Sequence, residues 1–292
     1  MTKETQLTLL YIFIAFTFSV LMRMIWVAQF SEYEAFKYAG EFMINTNDGY
    51  FWAEGARDIL SGSGTNPNAA TYFATLHQPN DLSPVTSSPS QLTALFSFLL
   101  PISFETLILY MPVYLGSLVV IPIILIARSI DNLEMGLIAA LLASIAVSYY
   151  NRTMVGYYDT DMLNIVLPML LLWSIIWAVK TNENKYLIIT ALDILLYRWW
   201  YPQSYALEFA FFGLILVYVL VFDRKNVYNY KLLTMMLVAI SGFDGLIRFP
   251  LIVGIFYLFT QSKYDKFIYY IFTASVLLFL SGGGLTPIIS LL

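Results

Sequence analysis

Two aspartates flank one threonine at Asp159-Thr160-Asp161, directly before an apolar run that starts at Met162. Carboxylate oxygens are hard donors, and this spacing lets both converge on one divalent cation such as magnesium or manganese. A plainer role also fits, with Asp161 starting the next helix and Asp159 solvated. A third carboxylate, Asp48 in Asn47-Asp48-Gly49-Tyr50, opens a helical run to Leu60. Stabilising the helix dipole there is worth about 0.3–1 kcal/mol. Three carboxylates on one face repel unless a cation sits among them. Arg152 lies in the same loop as the aspartate pair, placed either to hold a phosphate bidentately or to pair with one Asp.

Trp199-Trp200-Tyr201-Pro202 ends another apolar run. An interfacial aromatic belt accounts for it, and so does contact with a lipid-phosphate-sugar head group. Asp193, Arg198 and Glu208 fall in or near spans, where mutual neutralisation is the expected use and an ion path the rival. His77 is the only histidine and there is no cysteine, so histidine-rich or thiolate metal sites and cysteine nucleophiles are excluded. Asn151-Arg152-Thr153 matches the glycosylation acceptor pattern only by chance, since it abuts a span.

The elements that must carry these residues are hydrophobic. Of 292 residues, 59% are apolar, 17% aromatic and only 12% charged, with mean hydropathy +0.72. That points to lipid as the main solvent and excludes disorder, a coiled coil or a cytosolic enzyme. A net charge of −4 leaves no broad basic surface for nucleic acid. Spans of roughly 20 residues are needed to cross the bilayer. Apolar runs occur at Thr8–Val27, Glu105–Ala127, Gly136–Tyr149, Met162–Val179, Leu187–Trp200, Tyr205–Phe222, Lys231–Ile240, Arg248–Phe259 and Phe267–Leu280. Several are short and the middle pair is compatible with one broken helix, so an all-α polytopic protein with about eight or nine spans is expected.

With the N-terminus cytoplasmic, nine Lys and Arg fall inside (Lys3, Arg128, Lys180, Lys185, Arg224, Lys225, Lys231, Lys263, Lys266) and five outside (Lys37, Arg57, Arg152, Arg198, Arg248). The positive-inside rule favours that topology. Asp48, Asp159 and Asp161 then share the acidic outer face. The first external segment, Gln29–Phe104, is far longer than the others and contains the interfacial helix from Asn47 to Leu60, stopped by Gly62. Ser61–Ala70 reads as a flexible insertion. No internal repeat or soluble domain is evident.

The strings TNDGYFWAEGARDIL, HQPNDLS, SYYNRTMVGYYDTDML and WWYPQSY resemble the N-terminal membrane portion of the bacterial single-subunit oligosaccharyltransferases of the PglB type, from about residue 10 to the last. The resemblance implies a GT-C-type glycosyltransferase membrane domain (EC 2.4.99 type) in the bacterial inner membrane, its active site facing the periplasm. The implied reaction moves an oligosaccharide from a polyprenyl diphosphate to the asparagine of an Asn-x-Ser/Thr sequon, with Mg2+ or Mn2+. It makes Asp48 and Asp159 metal-binding and catalytic, places Asp161 on or beside the metal, sets Arg152 near the carboxylates and substrate, and puts Tyr201 on the lipid diphosphate.

Some positions depart from the pattern. Ser61–Thr75 is longer, Gln203 replaces a serine, Asp193, Arg198 and Glu208 are unusually polar, and a basic residue for the diphosphate is missing from the later spans. The chain also stops at SGGGLTPIISLL, before the family's large loop with its catalytic glutamate and before the soluble C-terminal domain with its WWDYG motif. The expectation is therefore a membrane domain over 1–292, truncated, with little or no transfer on its own. Two other readings remain open. One is a membrane glycosyltransferase using a lipid-linked donor and a non-asparagine acceptor, separable by its products. The other is a non-enzymatic transporter or binding subunit using Asp193, Arg198 and Glu208, which Asp159→Ala would leave intact.

Overall fold

The computed structural model of the chain describes residues 2–62, 86–243 and 245–281. His77 and most of the expected insertion after Ser61 lie outside the described residues. The chain forms two compact units, Met1–Val166 and Leu167–Leu292.

In the first unit, α1 (Lys3–Phe30) starts at an N-cap Thr2 whose hydroxyl accepts from the Thr5 amide, with Glu4 in the first turn. Its buried residues are Thr8, Ala15, Ser19, Arg23 and Trp26. That spacing traces one narrow stripe of a helix, and much of the rest of its surface is apolar and exposed, as lipid requires. Lys37–Tyr38 and Glu41–Phe42 form a two-stranded antiparallel ribbon, β1 and β2. Its turn is made by Ala39 and Gly40, both at positive φ (51° and 84°), the backbone that a two-residue hairpin demands. The ribbon is a minor departure from an all-α chain. Next come α2 (Asn47–Ser61) and α3 (Ser88–Leu99), packed on each other, and α4 (Phe104–Ser117).

The expected run Glu105–Ala127 divides into α4 and α5 (Val120–Ser129). Pro122 explains the break, since it has no N–H to offer the Leu118 carbonyl; the Ile121 amide reaches that carbonyl instead, at 3.0 Å. After α6 (Leu133–Ser144) come the short helices α7 (Val147–Asn151) and α8 (Asp161–Asn164). Helix α1 packs against α4, α5 and α6.

The second unit holds most of α9 (Val166–Thr181), then α10 (Asn184–Trp200), α11 (Tyr205–Phe222), α12 (Val227–Ile240), α13 (Gly245–Thr260) and α14 (Ile268–Ser281). Helix α12 lies at its centre. Every residue from Tyr228 to Ile240 is buried, and α10, α11, α13 and α14 all pack on it. The run across α13 and α14 is bent by 105°.

Four helical stretches, Lys3–Phe30, Phe104–Ser129, Asp161–Thr181 and Pro202–Phe222, are long and apolar enough to cross a bilayer, and the bent pair makes a fifth if counted as one span. This is a multi-pass membrane protein. The helices at Leu133–Ser144 and Val227–Ile240 are apolar but shorter.

Two buried charges leave the loops. Arg198 ends α10 inside the fold, and Lys231 lies within α12, its ammonium donating to the Phe259 carbonyl at 3.0 Å and pairing with Asp265 at 2.7 Å. Mutual neutralisation of Asp193, Arg198 and Glu208 holds for two of the three. Arg198 pairs with Glu208, whose other oxygen accepts from the Ser204 hydroxyl at 2.6 Å. Asp193 instead accepts from Ser174 on α9, and its Oδ2 has no hydrogen-bond partner. The three do not form one polar track, which removes the observation that favoured a transporter.

Candidate active site

Asp48 and Asp159 are 111 residues apart in sequence and reach one place through backbone pairing. The Asn45 amide donates to the Gly156 carbonyl at 2.9 Å, and the Gly156 amide donates to the Leu109 carbonyl at 2.8 Å. Gly156 has φ 80°, and a Cβ there would sit 3.2 Å from the Met43 carbonyl; a glycine is what lets the two segments approach. One step further along, the Thr46 hydroxyl donates to the Tyr158 carbonyl at 2.9 Å and accepts from the Gly49 amide at 3.2 Å. Thr46 is therefore both the N-cap of α2 and its tie to the Asp159 loop. Helix α2 ends at Gly62, φ 69°, whose amide closes on the Asp58 and Ile59 carbonyls.

Tyr158 is wholly buried, and its hydroxyl lies 2.5 Å from Thr93 Oγ1 on α3. Burial pushes that phenol well above its ordinary pKa, so it stays neutral. A Cβ at Gly49 would lie 2.5 Å from Thr46 Oγ1 and 2.6 Å from the Tyr158 carbonyl. Gly49→Ala is therefore expected to destabilise the first unit by about 1–3 kcal/mol and to push Asp48 away from Asp159. Thermal unfolding in detergent checks the first effect and hydrogen exchange over residues 45–50 the second; wild-type values in both would refute them.

Asp159 accepts from the Thr160 amide at 2.6 Å. Burial raises its carboxyl pKa above the ordinary range, the Thr160 amide opposes that, and the charges of Asp161 and Asp48 add to it. Asp161 starts α8 and accepts from Arg152 Nη1 at 3.0 Å; Arg152 remains 63% exposed against 19% for Asp161. The simple ion pair is thus present, and the rest of the guanidinium stays open to solvent. Tyr157, between them, feels Arg152 and all three aspartates, and burial raises its phenol. The three acids lie in one field, yet among the described residues no group of three or more Asp, Glu or His closes to metal-holding distance. Their donor chemistry nonetheless suits a hard cation: the charges of Asp161 and Asp48 act on Asp159, which burial already disfavours in its ionised form.

Tyr201 belongs to the second unit, between α10 and α11, with its hydroxyl donating to Gln203 at 3.1 Å. Trp200 is buried and Trp199 is 41% exposed, so only Trp199 is available to an interfacial belt. Sequence reasoning missed Thr46, Thr93, Gly156 and Tyr158. Thr46 alone carried a local signal, as a threonine before a helical run; the others act through contacts distant in sequence.

A helical membrane protein whose loops bring carboxylates and an arginine together is the class that fold and site define. The family model described as "Oligosaccharyl transferase STT3, N-terminal" matches residues 12–288. The chain is 43% identical over 281 residues to the undecaprenyl-diphosphooligosaccharide–protein glycotransferases of two Campylobacter jejuni strains, covering 95% of this chain and 38% of theirs. A dolichyl-phosphooligosaccharide-protein glycotransferase of Methanococcus voltae is 29% identical over 121 residues, 37% of this chain and 13% of that one. Solved structures of the Archaeoglobus fulgidus oligosaccharyltransferase share the fold: the crystal structure of the apo form has TM-score 0.60 at 15% identity, covering 91% of this chain and 33% of that one. The complex with an inhibitory peptide and a dolichol-phosphate has TM-score 0.60 at 14% identity, covering 99% and 38%. The chain belongs to the oligosaccharyl transferase STT3 N-terminal family. It spans 38% of the length of its Campylobacter relatives.

Proposed function

We propose that this chain is the membrane domain of an oligosaccharyltransferase, moving an oligosaccharide from a polyprenyl diphosphate to the side-chain amide of an acceptor asparagine in an Asn-x-Ser/Thr sequon. What supports this is the pairing of Asn45 with Gly156 and of Thr46 with Tyr158, which ties the helix of Asp48 to the loop of Asp159, with Asp161 and its partner Arg152 following in that loop. The names of the Campylobacter relatives supply the substrate classes.

An amide nitrogen is a poor nucleophile because its lone pair is delocalised into the carbonyl. Asp48 and Asp159 accept its two N–H groups and so weaken that delocalisation. The nitrogen attacks the anomeric carbon, the carbon–oxygen bond to the diphosphate breaks, and the proton leaves toward a carboxylate. Arg152, still mostly exposed while it pins Asp161, meets the negative charge of the departing diphosphate. Tyr201 is assigned to the diphosphate of the donor. Asp48, Asp159 and Asp161 would hold Mg2+ or Mn2+, which when bound supplies Lewis-acid compensation of the gathered negative charge.

The test is transfer from a polyprenyl-diphosphate oligosaccharide to a fluorescent Asn-x-Thr peptide by the full-length protein, read as a gel shift. Asp48→Asn is expected to cut turnover by about 10²–10⁴-fold and chelation to stop it; unchanged turnover in both would refute the reading. Product on lipid or sugar, with none on the peptide, would favour a non-asparagine acceptor.

For topology we propose eight or nine spans, the bacterial inner membrane, a cytoplasmic N-terminus and a periplasmic site. With the buried Arg198 and Lys231 set aside, eight basic residues fall inside against four outside. The chain has no cysteine, so single replacements report cleanly. An impermeant maleimide added to intact spheroplasts should label Asn151→Cys and spare Asn182→Cys; the reverse pattern would invert the topology.

A further inference from the structure

Arg23 is fully buried in α1, and none of the described carboxylates pairs with it. A cation held inside a membrane fold without a counter-charge is costly, and an apolar residue would pack there at less expense. The geometry gives it a task. Its Nε donates to Thr153 Oγ1 at 2.9 Å. Its Nη1 donates to Ser19 Oγ at 2.6 Å, to the Ser19 carbonyl at 3.2 Å and to the Ser144 carbonyl at 3.3 Å. Its Cζ lies 5.3 Å from the centre of the Tyr149 ring. Only the fixed fork of an arginine sends donors in two such directions at once.

Thr153 is the receiving end. Its hydroxyl passes a hydrogen bond to the Tyr149 carbonyl at 2.7 Å, and its side chain packs on Gly116, where an added Cβ would come within 2.6 Å of Thr153 Cβ. The Tyr149 hydroxyl donates to the Gly116 carbonyl at 2.6 Å, and that of Tyr150 to the Met22 carbonyl on α1 at 3.2 Å. Tyr149, Tyr150 and Thr153 are thus clamped on both sides of Arg152, the residue that pins Asp161.

We propose that Arg23 is a positioning residue for the transfer reaction. Acting through Thr153, it fixes the backbone that sets Arg152, and with it Asp161, against the substrate. This rests on the function proposed above, and it assigns a purpose to a charge that touches neither donor nor acceptor.

The test uses the full-length protein in lipid nanodiscs with four variants: Thr153→Val, Thr153→Ser, Arg23→Gln and the double Arg23→Gln/Thr153→Val. Valine keeps the shape of threonine and removes the acceptor for Nε; serine keeps that acceptor. Thr153→Val is expected to lower kcat about ten- to hundredfold, with KM for the peptide within about twofold, while Thr153→Ser stays close to wild type. The double variant should be no slower than the slower single, because one contact is being removed twice. A wild-type kcat in Thr153→Val, or losses that multiply in the double variant, would overturn the proposal. A purely structural role would lower the yield of folded protein and leave kcat per folded molecule unchanged.

Hydrogen exchange gives a readout that does not need activity. Amides from Tyr150 to Tyr158 should exchange about tenfold faster in Thr153→Val than in wild type, with those of α1 unchanged; equal rates would overturn the proposal even if the wild type transfers nothing. If Arg23→Gln does not fold, the Thr153 pair decides. Should wild-type transfer be absent while the exchange effect is present, the functional reading fails and the anchoring role of Arg23 stands.

Discussion

Asp159→Asn is expected to abolish transfer and, at the same time, to make the protein more stable at neutral pH. The two effects share one cause. Asp159 is half-buried, and its carboxyl pKa is raised by that burial and by Asp161 and Asp48. A carboxyl whose pKa is higher folded than unfolded stabilises the fold fully only below its unfolded pKa. That contribution is lost as pH rises through the raised folded value. At pH 7 the ionised group is therefore a net cost. Asparagine removes the charge and can still accept from the Thr160 amide. A rise in melting temperature of a few degrees is expected, together with a fall in turnover of about a thousandfold or more. The difference between variant and wild type should shrink as pH falls through that raised value, where the native acid becomes protonated. Parallel melting curves from pH 4 to 7, or a less stable variant at neutral pH, would contradict this account. A stability gain bought by losing a charged site is the mark of a group kept for chemistry.

Glu208→Gln should have the largest effect on stability. Glu208 is fully buried and paired with Arg198, itself only 9% exposed. Arg198 lies 3.6 Å from the centre of the Tyr205 ring and donates to the Ile240 carbonyl at 2.8 Å. Removing the acid leaves an arginine charge inside the second unit without its partner, a change that costs about 3–5 kcal/mol. Replacing both, as in Arg198→Met with Glu208→Leu, takes away the stranded charge. It leaves the end of α12 with Arg248, which donates to the Ala239 and Ser241 carbonyls at 3.4 and 3.3 Å. The double variant is therefore expected to lose less than Glu208→Gln alone, by at least about 1 kcal/mol. Thermal unfolding of the purified protein in a single detergent measures both; a double variant worse than the single would mean that the cap on the Ile240 carbonyl outweighs the buried charge.

Much of the fold could be read from hydrophobic runs, because lipid imposes a length and a composition on anything that crosses it. Each expected run falls on helix, although Glu105–Ala127, Gly136–Tyr149 and Met162–Val179 are each divided between two helices, and the Gly62 stop is the αL cap that its chemistry suggested. Pro122 carries the local signal for the break within the expected run Glu105–Ala127. The site was legible as residue types and illegible as geometry. Nothing local says that Asn45 pairs with Gly156, that Arg152 selects Asp161 over Asp159, or that Asp193 turns to Ser174 and leaves Arg198 to Glu208. Those choices depend on which faces of distant helices meet, and periodicity fixes only the face each helix presents. Burial also overrides the charge count for Lys231, which stands among the cytoplasmic charges at the first position of its run and which the fold buries within α12.

The central position of α12 bears on how the protein is made. At about 1.5 Å per residue its 14 residues span roughly 21 Å, short of a bilayer core of about 30 Å. It also carries Lys231 in its first half, and a lysine within a span opposes insertion. Such a segment gains little by leaving the insertion machinery alone. Its lysine finds its partners in the Phe259 carbonyl and Asp265, which follow it in the chain. Ribosomal synthesis delivers those partners later, so the charge of Lys231 can be met within the fold only once the chain has been made through Asp265.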